Sequence, residues 1–451
     1  MVLRSYIDQA KAFRDGSSSP SHFLKECFER LDALEPALRA FIHVARDTAI
    51  AAAAASDERW RAGKPLSPVD GMPLGIKDII ETEDMPTGQG SPLWEGTYTK
   101  RDAASVQALR QAGAIIVAKT TTTEYATSNP FHQTTNPHDS SRTPGGSSSG
   151  SAAAVGAGIL PASLGTQVVA STLRPASFCG CTGFKPSVGA LNRSGSYDHL
   201  SQSCTGLLAA SPADAWIVAS AISERVGGDP GFDGLLGPVM PPAPRPPARF
   251  ALLETGGWQR TTPGARAALA EARKRLSALG IEIADRTEDP DIETLERAIA
   301  DALDLTFRIY EWEFLWPFAS YAKGDPRGLS EPLRKNLANG MSMTIDDYRQ
   351  ALARRRSIRA RAAWTGARFD AFMTLGATGA APIGLSSTGD PAVTVAGSLL
   401  GGPAISLPLL QDEGLPLGLQ LIGRMNEDAD LLSVAEWVWQ SYASGKEGKP
   451  T

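Results

Sequence analysis

Apolar residues recur at helical spacing over the first sixty residues of this chain. Phe23, Leu24, Cys27, Phe28 and Leu31 follow an i, i+3, i+4 rhythm behind Ser21, which predicts a helix capped by that serine. The alanine-rich run from Ala49 to Ala55 predicts a second helix. From Gly71 the rhythm changes to short apolar runs bounded by Gly, Pro, Asp and Thr. Leu74 to Ile80 and Ala114 to Ala118 read as buried strands, with a helix at Ala103 to Gln111 between them. That alternation predicts an α/β sheet with helical crossovers.

The stretch from Pro144 to Gly189 is dense in Gly, Ser, Ala and Thr and poor in charge. A flexible linker of that composition would not carry Val155, Ile159, Leu160, Leu164, Val168 and Phe178 at regular intervals, so small residues here point to close backbone approach. A proline-rich connector at 237–248 precedes a strand at Arg249 to Leu253. Amphipathic helices are predicted at 263–279, 291–323 and 345–366. Strands return at Ala371 to Leu375, Ala404 to Leu407 and Gly418 to Ile422, and a helix from Ala429 to Ser441 follows. No internal repeat is visible.

Composition narrows the classes. The chain has 451 residues, 42% of them hydrophobic and 21% charged, with a net charge of −5. These values suit a soluble globular protein long enough to bury a core without disulfides or metals. No basic stripe appears, which argues against nucleic acid as a partner. The N-terminus lacks signal-peptide features, and no apolar run reaches the roughly 18 residues of a spanning helix, so the expectation is a cytoplasmic protein with no membrane partner. Cys27, Cys179, Cys181 and Cys204 have neither disulfide nor zinc spacing, and no metal or cofactor is expected.

Three separated pieces carry the chemistry: Lys77 in Pro73-Leu74-Gly75-Ile76-Lys77-Asp78, Ser147 in Gly145-Gly146-Ser147-Ser148-Ser149-Gly150, and Ser171 after Gly165-Thr166-Gln167-Val168-Val169-Ala170. Alone, each has an ordinary explanation: a lysine at a strand end, a loop serine, a buried hydroxyl. Together they are the parts of a Ser-Ser-Lys hydrolase. A serine hydroxyl needs a base to remove its proton as it attacks. Lysine serves only when neutral, and burial among Leu74, Ile76, Ile79 and Ile80 would lower its reference pKa of about 10.4. Rival motifs are weaker. Gly146-Ser147-Ser148-Ser149-Gly150 fits a nucleophile elbow with Ser148, but His199 is the only histidine after residue 150 and comes too early. His22, His43, His132 and His138 lack metal spacing, and Gly156-Ala157-Gly158 lacks the third glycine of a dinucleotide loop.

The ordered set Gly71-x-Pro73-x3-Lys77-Asp78, Thr143-Pro144-Gly145-Gly146-Ser147-Ser148-Ser149-Gly150-Ser151 and Gly165-Thr166-Gln167-x3-Ser171, with Arg174-Pro175-Ala176 and Lys185-Pro186, resembles the amidase signature family. Gly402-Pro403-Ala404-Ile405-Ser406-Leu407-Pro408 and Gly414-Leu415-Pro416-Leu417-Gly418-Leu419-Gln420 extend the likeness, which runs from about residue 20 to about residue 440. The resemblance implies one α/β domain: a mixed central sheet covered on both faces by helices. Within it, 1–60 would be a helical wrap, 61–236 the catalytic core, 237–365 a variable helical cap, and 366–451 terminal strands and a helix. It makes Ser171 the nucleophile, Ser147 a proton relay with a cis peptide bond, and Lys77 the base. Backbone N–H groups of Val168, Val169, Ala170 and Ser171 would form the oxyanion hole.

The sequence departs from the family where two glycines usually precede the nucleophile; Val169 and Ala170 stand there. A β-branched residue at positive φ would be strained, so the expectation is either a rebuilt, tighter loop or impaired activity. Gln167 replaces the usual Asp. Arg174 reads as a structural ion-pair partner of this loop or a clamp for a substrate carboxylate, and Asp78 as a fixing group for the Lys77 loop. Phe307, Tyr310, Trp312, Phe314, Trp316, Phe318 and Tyr321 occupy more positions than one buried helix face holds. Tyr310 and Trp316, with Phe131, are therefore candidates to line an apolar pocket.

The resulting expectation is hydrolysis of an amide, anilide or carbamate of a small apolar or aryl substrate, with esterase or urethanase side activity; a homodimer is compatible with the sequence, which leaves the oligomeric state open. The alternatives are a glutamine-dependent amidotransferase A-type subunit and an impaired homologue that serves as a scaffold.

Overall fold

Every strand that the apolar runs predict lies in one sheet. The computed structural model describes residues 2–127, 129–198, 200–324 and 328–444; His199 lies outside them. The strands are β1 (Phe41–Val44), β2 (Pro73–Lys77), β3 (Ile115–Thr120), β4 (Ala162–Gln167), β5 (Thr182–Lys185), β6 (Cys204–Ala209), β7 (Arg249–Leu252), β8 (Glu282–Ala284), β9 (Ala371–Leu375), β10 (Ala404–Asp412) and β11 (Leu415–Ile422). Their order is β1-β3-β2-β4-β6-β5-β10-β11-β9-β7-β8. β2 runs parallel to β3 and β4, and β7 parallel to β8 and β9; the remaining pairs are antiparallel. The fold is therefore the mixed α/β sheet expected.

Helices flank it: α1 (Tyr6–Asp15), α2 (Pro20–Leu38), α3 (Arg46–Arg61), α4 (Ala104–Gln111), α5 (Ser149–Gly156), α6 (Leu173–Cys179), α7 (Pro212–Val226), α8 (Pro263–Ala278), α9 (Pro290–Ala298), α10 (Ala302–Glu313), α11 (Leu315–Gly324), α12 (Glu331–Ser342), α13 (Ile345–Gly366), α14 (Ala396–Leu399) and α15 (Asp428–Ser444). Ser19, not Ser21, caps α2 by accepting from the His22 N–H, because Pro20 fits the first helical turn and has no N–H to satisfy. The predicted helix 291–323 is three helices. β10 and β11 are longer than the apolar runs suggested, since the hairpin continues past Pro408 through a register shift between Leu407 and Leu410. Such an irregularity is where a residue without an N–H can sit in a strand.

The Gly/Ser-rich stretch is no linker. It holds α5, β4, α6 and β5, almost wholly buried. Small residues let these elements approach: a side chain at Gly165 would meet Ser148 Oγ at 2.6 Å. β4 is thereby pressed against the loop that precedes α5. No described helix is long and apolar enough to cross a membrane.

Candidate active site

Parallel pairing of β2 with β4 brings their carboxyl ends together, the position where α/β sheets leave room for a ligand. Lys77 ends β2 and is wholly buried. Its Nζ lies 2.7 Å from both Ser147 Oγ and Thr166 Oγ1. Burial pulls its pKa down to about 7, against a smaller opposing pull from Asp198. No carboxylate lies within ion-pairing distance of Lys77 among the described residues, so nothing adjacent holds its proton.

Ser147 sits just before α5 and is 1% exposed. The Gly146–Ser147 peptide is cis. Its flanks are held: Arg174 Nη2 donates to the Gly146 carbonyl at 2.9 Å, and Thr123 N–H to that of Ser147 at 3.3 Å. Glycine is required at 146 because a Cβ there would meet the Thr388 methyl at 2.6 Å.

Ser171 lies between β4 and α6 and lines a cavity of about 420 Å³; its carbonyl accepts from the N–H of Ser148, the residue after Ser147. The loop leading to it has a consistent polarity. Gln202 Nε2 donates to Val168 O (2.9 Å), Ser398 Oγ to Val169 O (2.8 Å), Arg174 N–H to Ala170 O (3.1 Å) and Ser148 N–H to Ser171 O (3.2 Å). All four carbonyls are thus occupied. The four N–H groups of residues 168–171 find no acceptor among the described residues. Unpaired donors beside a serine hydroxyl, fixed through their own carbonyls, are suited to receive an oxyanion. None of these residues has a positive φ. Val169 and Ala170 therefore need no glycine, and the anticipated strain is not present. Gln167 anchors the loop from below: Oε1 accepts from the N–H groups of Thr172 and Leu173, and Nε2 donates to Ser398 Oγ at 2.9 Å.

Arg174 lines the same cavity and is 5% exposed. Besides Gly146 O it donates to Thr388 Oγ1 (2.9 Å), but no carboxylate lies within 4 Å of it among the described residues. The expected ion pair is replaced by hydrogen bonds to neutral oxygens, and burial lowers the guanidinium pKa to about 10. Asp78 instead pairs with buried Lys119 at 3.2 Å and accepts from Gly88 N–H.

The aromatic candidates separate. Tyr310 lines the main cavity and an adjoining chamber; Trp316 lines the chamber alone. Phe131 faces a different cavity with Asp78, Pro86 and His132, and is not brought to Ser171. The segment that carries Phe131 has no periodicity, so nothing local indicates which way it faces. Thr166, Gln202, Thr388 and Ser398 support the site without having been singled out by sequence patterning. Thr166 lies inside the motif, whereas the other three are ordinary polar residues far from it.

Comparison with known proteins places the chain in a family. The Amidase family profile matches residues 22–432. The A-type subunit of glutamyl-tRNA(Gln) amidotransferase from Chloroflexus aggregans is 33% identical over 94% of this chain and 93% of its own length. A solved amidase superposes with a TM-score of 0.84 at 28% identity, covering 99% of this chain and 100% of its own. The peptide amidase of Stenotrophomonas maltophilia gives 0.79 at 25% identity, with 97% of each chain covered. The chain belongs to the amidase signature family and is an enzyme of that family, acting on carbon–nitrogen bonds.

Proposed function

We propose that this enzyme hydrolyses a carboxamide through an acyl-enzyme on Ser171. The observation that carries the reading is Lys77, buried and with hydroxyls, not carboxylates, as its close neighbours. With a pKa of about 7, a large share of it is neutral near neutral pH. Ser171 Oγ attacks the carbonyl carbon while Ser147 takes its proton and passes its own to Lys77. The oxyanion rests on the N–H groups of residues 168–171. Return of the proton through Ser147 to the leaving nitrogen breaks the C–N bond and releases the amine. Water then attacks the acyl-enzyme by the same relay, freeing the acid and Ser171. Esters and carbamates fit the same sequence of steps.

Two substrate readings remain. The aromatic wall at Phe307 and Tyr310 supports a bulky or aryl amide. The glutamine-dependent amidotransferase reading draws more support from the curated relatives. Arg174 favours it too, since a buried guanidinium without an acidic partner suits a substrate carboxylate. The scaffold alternative rested on a strained loop, and that strain is not there.

The test is intact-protein mass spectrometry after a serine-directed acylating probe, on wild type and Ser171→Ala, with ammonia release from glutamine and turnover of a para-nitroanilide and carbamate panel. One adduct, lost in the variant, is expected. Glutamine turnover that depends on added partner subunits would select the amidotransferase reading, and anilide turnover by the chain alone the other. No adduct on folded protein would contradict both.

A further inference from the structure

A chamber of about 120 Å³ adjoins the main cavity, the two sharing Ala126, Val168 and Tyr310. Tyr125, Tyr197, Phe314, Trp316 and Phe318 complete an aromatic wall, with Trp316 72% exposed at its rim. Such a lining alone would suit any apolar group. The carboxylates in it do not.

Two acids, Asp198 and Glu313, also line the chamber. Glu313 is occupied, accepting from Ser201 N–H and Tyr348 Oη, each at 2.8 Å. Asp198 is only half occupied. Its Oδ1 accepts from Ser196 Oγ at 2.7 Å, while Oδ2 is buried with no hydrogen-bond partner among the described residues. The residue is 7% exposed. One cation, Arg193, stands between Asp198 and Asp229, and both carboxylates raise its pKa, so the two acids share a single positive charge. Arg193 pairs with Asp229 at 2.7 Å and reaches only the backbone carbonyl of Asp198. Lys77 is directed to Ser147 and Thr166.

A buried carboxylate that shares its only nearby cation with a second acid leaves negative charge in the chamber wall, which a cationic ligand would balance. Aromatic faces carry negative potential and attract cations, most strongly where water is excluded. We propose that this chamber binds a protonated amine of the substrate, with Asp198 as its counter-ion and the rings around its methylene stem. This rests on the hydrolase reading above and narrows it: the preferred amides carry an ammonium group on an apolar spacer. Arg174 in the main cavity and Asp198 in the chamber then give the site opposite charges at its two ends.

The experiment measures binding to the Ser171→Ala protein by calorimetry, using matched pairs of amides. ε-Aminocaproamide is compared with caproamide, and N-acetylcadaverine with N-pentylacetamide, so that either side of the scissile bond can place the ammonium group in the chamber. In at least one pair the ammonium ligand should bind about tenfold or more tightly than its neutral partner. Adding Asp198→Asn should remove most of that preference. Adding Trp316→Ala instead, at a largely exposed position, should reduce it several-fold.

Equal affinity within both pairs, no binding of any ligand, or a preference unchanged in both variants would overturn the proposal. Wild-type turnover separates the two claims. Hydrolysis of neutral amides without an ammonium preference would leave the hydrolase and remove the chamber's role. Ammonium-selective binding without any turnover would do the reverse.

Discussion

Two wholly buried lysines stand side by side in this sheet, and their surroundings differ in kind. Lys77 on β2 is next to Thr120 of β3, and Lys119 is next to Ile76. Lys119 Nζ donates to the Ile80 carbonyl (2.9 Å), the Pro86 carbonyl (3.2 Å) and Thr87 Oγ1 (2.7 Å), and pairs with Asp78. It is a cation fully supplied with acceptors. Lys77 has two hydroxyls and no acid in contact. Burial lowers the pKa of both, but at Lys119 the adjacent Asp78 carboxylate opposes it, whereas at Lys77 the opposing charge is the more remote Asp198. Burial without an adjacent anion is what suits Lys77, and not Lys119, to the base role proposed for it.

The contrast can be broken from either side. Lys77→Met should lower kcat/KM by roughly a hundred- to ten-thousandfold while leaving the melting temperature near or above that of wild type, because a depressed lysine contributes no buried ion pair. Lys119→Met should do the opposite. Removing the partner of buried Asp78 should cost about 3–5 kcal/mol of stability, read by denaturant unfolding, with activity per folded molecule largely kept. Adding Asp78→Leu to that variant should recover much of the loss, since an apolar pair replaces an ionic one.

Smaller effects sharpen it. Thr166→Val removes an acceptor that favours the charged form of Lys77, so the pKa should fall further. The rising limb of kcat/KM against pH should then move below its wild-type position near 7, with a modest loss of rate. Ser398→Ala frees the Val169 carbonyl and one end of Gln167, and should lower kcat by about tenfold or less with little change in KM. A larger KM effect would show that the residue shapes the cavity rather than the oxyanion loop.

Much of this is legible without the structure. Lys77, Ser147 and Ser171 stand out because each sits in a local pattern, and the strands at 73–77, 115–120 and 371–375 because short, mainly apolar runs bounded by turn residues leave few alternatives. β5 and β6 are not legible. Thr182–Lys185 and Cys204–Ala209 are short, contain glycine, and owe their strand state to neighbours on both sides. The loop before Ser171 is misleading for a different reason: the residue types at 169 and 170 indicate φ only by analogy, and the observed backbone has no positive φ there. Asp198 and Ser398 carry no local signal at all. Their roles come from what the fold sets beside them.

The most direct measurement is the pH dependence of the Ser171 acylation rate in wild type, followed by single-turnover mass spectrometry. If neutral Lys77 is the base, the rate should rise with pH through about 7 and level off above it, because only the deprotonated amine accepts the proton. A rate that is flat from weakly acid to weakly alkaline pH, or that rises only near the reference pKa of about 10.4, would contradict the account.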